Sequence, residues 1–161
     1  MSIATDLKQE RARVVAVAGS VLGIAAAFAA RGLLLRANRI DRGDPVSLVQ
    51  GFDAWGWVLV ALWAVAALVS ASGLPRRARG TIVCLLAGLV PVLTVWRTGV
   101  AADAWANASG DIARTSVGWA FWVTLFASYV VVFAATAWLR PGALRTTLSY
   151  LPVAGVLWLV V

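Results

Sequence analysis

Residues 117–139 read VGWAFWVTLFASYVVVFAATAWL and contain no charged side chain. A helix crosses the hydrocarbon core of a bilayer with about 20 consecutive, mostly apolar residues. This stretch meets that requirement without any contribution from its flanks. Its length and composition therefore predict a transmembrane helix.

Four more apolar stretches fill most of the remaining chain, at residues 14–35, 55–74, 80–97 and 148–161. The stretch at 55–74 is long enough to cross a bilayer, and the strictly apolar parts of the first and third stretches, at 14–30 and 81–96, become so when an interfacial residue or two is included. The last stretch has only about 14 residues, which is short for a crossing helix. We expect it to be re-entrant or tilted, or the natural polypeptide to continue past Val161.

The composition agrees with this pattern. Hydrophobic residues make up 61% of the 161 residues and charged residues 13%, whereas soluble domains are about 45–50% apolar and about 25% charged. We therefore predict an all-α integral membrane protein, a bundle of four transmembrane helices plus a partial fifth, in which residues 1–161 form one domain. The lipid bilayer is its first partner. The net charge of +7 does not indicate nucleic-acid binding, because the arginines lie in short segments between apolar stretches.

The basic residues predict an orientation, because cytoplasmic segments of membrane proteins carry an excess of Lys and Arg. One basic cluster follows Pro75 and another lies at the N-terminus; together they comprise Arg76, Arg77, Arg79, Lys8, Arg11 and Arg13. We expect both to be cytoplasmic in a multi-pass protein of the bacterial inner membrane. The apolar part of the first stretch is longer than the roughly 7–15 residues of a signal-peptide core and ends in Arg31 and not in an A-x-A cleavage site, so we interpret it as a retained signal anchor.

The sequence shows no pattern typical of catalysis. It contains no histidine and a single cysteine, Cys84, which leaves no disulfide framework and removes the commonest general base and metal ligand. No Asp, Glu or Lys lies in the middle of an apolar stretch, where such residues mark proton relays and ion paths. We predict a protein that is not an enzyme, with no catalytic residue, metal site or cofactor, and no residue can be assigned to substrate binding.

Two features of the predicted helices concern packing. Gly19, Gly23 and Ala27 recur every four residues, and such a stripe lets another helix approach closely. We favour ordinary packing within the same protein over a dedicated dimer motif. Pro91 lies in the middle of the stretch at 80–97 and lacks a backbone N–H, so we expect a structural kink there.

Five aromatic residues form a seam along the helix predicted at 117–139. They are Trp119, Trp122, Phe126, Tyr129 and Phe133. Their spacing places them on one helix face. The seam could pack on a neighbouring helix, face lipid, or contribute to a cage for a quaternary ammonium ion through cation–π attraction. A cage needs rings that converge from several directions, so packing or lipid contact is favoured, and its role stays open.

Two short motifs support a family resemblance. Residues 38–48 read NRIDRGDPVSL, and residues 113–122 read ARTSVGWAFW. Their order and spacing, with the helices around them, resemble the N-terminal membrane extension found in some permeases of ABC importers for osmoprotectants such as glycine betaine and choline. The resemblance implies an extension that precedes the transport core. The permease core, the ATPase subunit and the solute-binding protein would then be its partners.

The chain departs from the transport core of that family. The loop that would couple such a core to the ATPase, with its Glu-Ala-Ala signature, has no counterpart here. The resemblance therefore implies an accessory membrane domain with an anchoring, bracing or regulatory role, and it does not identify the transported solute. The alternative is a small free-standing accessory subunit of a larger membrane complex, respiratory or photosynthetic.

Overall fold

The computed structural model describes residues 3–29, 31–36, 44–109 and 114–139. In chain order they form helix α1 (Ile3–Phe28), strands β1 (Leu33–Arg36) and β2 (Asp44–Val46), the short helix α2 (Leu48–Gly51), helices α3 (Ala54–Ala71) and α4 (Arg76–Ser109), strand β3 (Arg114–Val117) and helix α5 (Trp119–Thr136). The stretch at 148–161, for which a partial fifth helix was predicted, lies outside these described residues.

Four of the described helices are long and apolar enough to cross a membrane. Their candidate spans are Gln9–Phe28, Ala54–Ala71, Arg76–Ala104 and Trp119–Thr136. The predicted fold class, a helical membrane-spanning bundle, is therefore confirmed. A helical span satisfies all of its interior backbone hydrogen bonds within one segment, which an apolar solvent requires.

Helix α4 is longer than its apolar stretch at 80–97. It has 34 residues, which corresponds to about 51 Å at 1.5 Å per residue, against a hydrocarbon core of about 30 Å. Its last ten residues, at 100–109, read VAADAWANAS. Alanine has the strongest intrinsic preference for helix, so α4 continues beyond the point where hydropathy alone would end it.

The four long helices pack in a ring of neighbours. Helix α1 packs against α3 and α5, and α4 packs against the same two helices. The largest fully buried side chains of α3, α4 and α5 fill the middle: Leu59, Trp63, Val83, Val90, Thr94, Thr124, Val131 and Val132. Because α1 and α4 each contact both of the other helices, the bundle has one continuous interior.

Helix α1 contributes small side chains to that interior. Its buried positions are Ala12, Ala16, Gly19, Ser20, Gly23, Ala26 and Ala27. A Cβ atom added at Gly19 would lie 2.7 Å from a methyl group of Val131 in α5, and one added at Gly23 would overlap the indole ring of Trp63 in α3. The small-residue stripe therefore serves packing within this domain, as the sequence predicted.

Three short strands form a sheet at the end of the bundle where α1 ends and α5 begins, called here the sheet end. The order is β2-β1-β3, and both pairings are antiparallel. Each strand has three or four residues. Strands this short are not revealed by alternation of apolar and polar residues, and the sequence analysis did not predict them.

Pro91 lies inside α4, and the helix continues through it. In a regular α-helix the carbonyl of residue 87 would accept a hydrogen bond from the N–H of residue 91, which proline lacks. The hydroxyl of Ser128, in α5, donates to the Ala87 carbonyl oxygen at 2.5 Å. Both residues are buried. A side chain from the neighbouring helix thus replaces the hydrogen bond that Pro91 removes.

This replacement predicts energetic coupling between Ser128 and Pro91. Ser128→Ala should lower the free energy of unfolding in detergent by about 1 kcal/mol, because the Ala87 carbonyl loses its partner in an apolar interior. In a Pro91→Ala background the same change should cost less, because residue 91 then supplies an N–H. Denaturant unfolding of the four variants gives the coupling energy.

Thr124→Val is the control for this cycle. Its hydroxyl donates to the Ala120 carbonyl oxygen within its own helix at 2.9 Å, so it should show no coupling to Pro91. An equal cost of Ser128→Ala in both backgrounds would contradict the assigned role.

Candidate functional site

The structure brings together the two motifs that carry the family resemblance. The motif at 38–48 supplies β2 and the start of α2, and the motif at 113–122 supplies β3 and the start of α5. Strand β1 lies between them, with Leu33 opposite Val46 on one side and Val117 on the other. The Asn38–Gly43 part of the first motif and Ala113 lie outside the described residues. The described parts of both motifs therefore build the sheet end.

Gly118 of the second motif is required by a close approach of two backbone segments. Its N–H donates to the Gly32 carbonyl oxygen at 3.0 Å, and a Cβ atom at position 118 would overlap the Arg31 carbonyl group. Gly32 is equally confined, since a Cβ atom there would lie 2.7 Å from the backbone nitrogen of Leu48. Both glycines let the chain after α1 pass between the two motifs.

Pro45 and Ser47 of the first motif also have local structural roles. Pro45 lies in β2, which is an edge strand of the sheet, where a missing N–H is tolerated. The Ser47 hydroxyl accepts a hydrogen bond from the Gln50 N–H at 3.2 Å, and the Gln50 side chain accepts one from the Ser47 N–H. This reciprocal capping box starts α2. The described motif residues thus stabilise local elements of the fold.

Aromatic rings surround the bundle at the sheet end. Trp55 and Trp96 pack edge to face with ring centroids 5.3 Å apart, and Phe28 and Trp57 do so at 5.7 Å. The Arg97 guanidinium lies 5.5 Å from the Trp96 ring centroid. All four rings are partly exposed. This arrangement is typical of the aromatic belt at a membrane–water interface, and the rings contact one another instead of converging on an empty cage.

The opposite end of the bundle is held by arginines and is called here the arginine end. Arg13 of α1 donates from Nε to the Ser70 carbonyl oxygen at 3.2 Å and from Nη2 to the carbonyl oxygens of Ala71 and, at 3.0 Å, Ser72. The last carbonyls of a helix have no partner within it, and a positive charge there complements the helix dipole. Arg13 therefore caps the C-terminus of α3.

Arg79 of α4 binds the turn between α3 and α4 near its other end. Its Nη2 donates to the Leu74 carbonyl oxygen at 2.9 Å, and its guanidinium lies 5.3 Å from the ring centroid of Trp138, just beyond α5. Trp138 is buried. Arginines from α1 and α4 thus fix the short turn between α3 and α4 and tie it to the end of α5.

The aromatic face of α5 (Trp119, Trp122, Phe126, Tyr129 and Phe133) points away from the bundle. Its five residues are between 45% and 63% exposed. The interior face of α5 carries smaller side chains such as Ala127 and Val131. The seam therefore does not pack on a helix of this bundle, and it does not form a cage with other helices among the described residues.

The buried polar side chains offer no reactive group within the described residues. All of them belong to serine and threonine: Ser20, Ser47, Ser70, Thr94, Thr124, Ser128 and Thr136. Most of these hydroxyls bind backbone carbonyl oxygens, as Ser20 does with Ala16 at 2.8 Å and Thr94 with Val90 at 2.7 Å. No group of three His, Cys, Asp or Glu side chains that could hold a metal ion occurs in the described ranges.

These features define a helical membrane domain. Its described side chains pack the interior, cap helix ends or form the apolar outer surface of the bundle. Comparison with protein families gives the particular assignment: the chain belongs to the family described as the ABC transporter permease YehY, N-terminal domain, whose model matches residues 10–161. Comparison with curated proteins gives no match, and neither does comparison with solved structures. The match covers α1 from residue 10 onwards, the other three long helices and the sheet.

Membership of this family confirms that the chain is the N-terminal domain of an ABC transporter permease, which is a transport assignment and not a catalytic one. It favours the permease interpretation over a respiratory or photosynthetic subunit. In general an ABC permease works with an ATPase and a solute-binding protein in a membrane. The described parts of the motifs at 38–48 and 113–122 lie at the sheet end, which the sequence did not predict to be a folded element.

The outward aromatic face predicts a contrast between two phenylalanines of α5. Phe126 is 63% exposed and Phe121 is 5% exposed. In detergent, Phe126→Ala should change the free energy of unfolding by less than about 1 kcal/mol, while Phe121→Ala should lower it by about 3 kcal/mol or more, because only the second leaves a cavity. Denaturant unfolding of the purified chain measures both. Equal losses would show that Phe126 is packed inside the domain.

Proposed function

We propose that this chain is an accessory N-terminal membrane domain of an importer permease for osmoprotectants such as glycine betaine or choline. It anchors and braces the transport core, or regulates it, and does not itself form the solute pathway. It lies in the bacterial inner membrane with its N-terminus in the cytoplasm. Its partners are the permease core, the ATPase subunit, the solute-binding protein and the bilayer.

The observation that carries this proposal is the filled interior of the bundle. Trp63 and Leu59 are fully buried, and Trp63 packs directly against Gly23. Most interior hydroxyls, such as those of Ser20, Thr94 and Thr124, bind a backbone carbonyl oxygen of their own helix, and Ser128 bridges to α4. Two buried polar atoms of α3, the Ser70 hydroxyl and the Trp63 indole N–H, have no partner among the described residues. A solute or ion path needs a wet, polar lining. A bundle packed in this way supports bracing and opposes conduction.

The turn between α3 and α4 also supports an accessory role. It contains only residues 72–75, and its carbonyl oxygens are bound by Arg13 and Arg79. A loop that docks on an ATPase has to project from the membrane surface with side chains available to the partner. This turn is short and held against the bundle, so we assign coupling to another part of the permease.

The aromatic face of α5 and the sheet end are the surfaces through which bracing would act. The aromatic face presents five large, exposed rings along one helix, and rigid aromatic side chains supply contact area at a low entropic cost. At the sheet end, backbone hydrogen bonds join β2 through β1 and residues 31–32 to β3 and the start of α5. The osmoprotectant class rests on the two motifs of residues 38–48 and 113–122.

The cytoplasmic orientation rests on the arginine end. Arg76, Arg77 and Arg79 follow Pro75 there, and Arg11 and Arg13 lie on the first turns of α1. Positive side chains accumulate on the cytoplasmic side of membrane proteins. The sheet end then lies on the outer side.

Uptake measurements on two preparations test this proposal. The purified chain in liposomes should take up no labelled betaine, with or without ATP, because its interior has no polar path. In the intact importer, replacing residues 1–161 by an unrelated signal anchor should leave part of the ATP-driven betaine uptake. An importer whose ATPase cannot hydrolyse ATP sets the background, and immunoblotting of membranes verifies that the truncated permease is inserted.

Betaine flux through the isolated chain would contradict the accessory role. So would complete loss of uptake by a truncated permease that is correctly inserted. An intact importer that moves neither betaine nor choline would contradict the solute class while leaving the structural role unaffected.

A further inference from the structure

The arginine end carries an excess of positive charge among its described side chains. Its described side chains include five arginines: Arg11, Arg13, Arg76, Arg77 and Arg79. The acidic side chain described at this end is Glu10, on α1. Like charges held together repel one another, so this grouping favours an anionic partner that neutralises it.

Two of these guanidinium groups are already oriented by the backbone. Arg13 binds the carbonyl oxygens of residues 70–72 through Nε and Nη2, and Arg79 binds that of Leu74 through Nη2. An arginine has five N–H donors, and Nη1 of each takes no part in these bonds. The turn between α3 and α4 therefore presents two fixed guanidinium groups on its two sides, and fixed guanidinium groups suit the planar, two-point recognition of phosphate.

Each of the three helices concerned carries an exposed apolar side chain close in sequence to the arginine end. Val14 of α1 is 62% exposed, Leu68 of α3 is 71% exposed, and Ile82 of α4 is also exposed. Each lies within one or two helical turns of an arginine of this end or of the turn that the arginines bind. A soluble phosphate would use only the arginines, whereas a phospholipid would use the arginines for its head group and this surface for its acyl chains.

We propose that the arginine end is a binding site for an anionic phospholipid, such as phosphatidylglycerol or cardiolipin. Its phosphate contacts the arginines around the α3–α4 turn, and its acyl chains lie along the exposed apolar residues of α1, α3 and α4. Basic clusters at the ends of membrane helices attract anionic lipid in this way. The bound lipid neutralises the arginine cluster and fastens the turn to the head-group layer. This proposal is independent of the solute that the permease carries.

Native mass spectrometry of the purified chain tests the site. The chain is equilibrated with equal amounts of phosphatidylglycerol and phosphatidylcholine, and the retained lipid is counted. The unchanged chain should retain phosphatidylglycerol preferentially. In the double variant Arg11→Gln, Arg77→Gln the preference should fall about fivefold or more, because each surface arginine strengthens binding of anionic lipid severalfold. Both arginines are exposed, so the variant should fold as the unchanged chain does.

Arg31→Gln is the matched control, because Arg31 is also exposed but lies at the sheet end. It should leave the preference unchanged. A second measurement compares the thermal unfolding of the chain with added phosphatidylglycerol and with glycerophosphate at the same phosphate concentration. Only the lipid should raise the melting temperature. Equal retention of the two lipids, an equal loss in the Arg31 variant, or an equal shift with glycerophosphate would overturn the proposal.

Discussion

The fold depends on the close approach of α1 to α3 and α5, which two glycines make possible. Lipid tails are as apolar as leucine side chains, so helices in a membrane associate through packing and interhelical hydrogen bonds. At Gly23 the indole ring of Trp63 occupies the space that any larger side chain would need, and at Gly19 Val131 does the same. Since α1 is one of the two helices that contact both α3 and α5, separating it would open the bundle along its length.

A second constraint explains the polar contacts, since backbone groups in an apolar solvent need partners inside the protein. Ser128 donates a hydrogen bond to the Ala87 carbonyl oxygen, which Pro91 leaves without a donor. Arg13 donates to the carbonyl oxygens at the end of α3. At the sheet end the backbone of residues 31–32 pairs with both motifs. The described polar side chains of the domain therefore bind largely to its own backbone, and the proposed bracing role rests on this observation.

The sequence predicted those features that depend on composition and helical spacing. Transmembrane helices are recognisable because about 20 apolar residues are needed for each, and the stripe of Gly19, Gly23 and Ala27 is recognisable because helical neighbours recur every three or four residues. The sheet, the Arg13 cap and the Ser128 bond were not predictable, since each joins residues far apart in the chain. The motif around Gly118 carries the family resemblance, but the reason for its glycine is the position of the Arg31 carbonyl group, which the sequence does not show.

The central claim, that the approach of α1 holds the bundle closed, is tested by comparing two glycines. A Cβ atom at Gly23 would overlap Trp63, whereas one at Gly88, in α4, has nothing within 4 Å. Denaturant unfolding in detergent should show Gly23→Ala lowering the free energy of unfolding by about 1–3 kcal/mol through overpacking. Gly88→Ala should be neutral or stabilising by up to about 1 kcal/mol through helix propensity. A Gly23→Ala chain as stable as the Gly88→Ala chain would contradict the account.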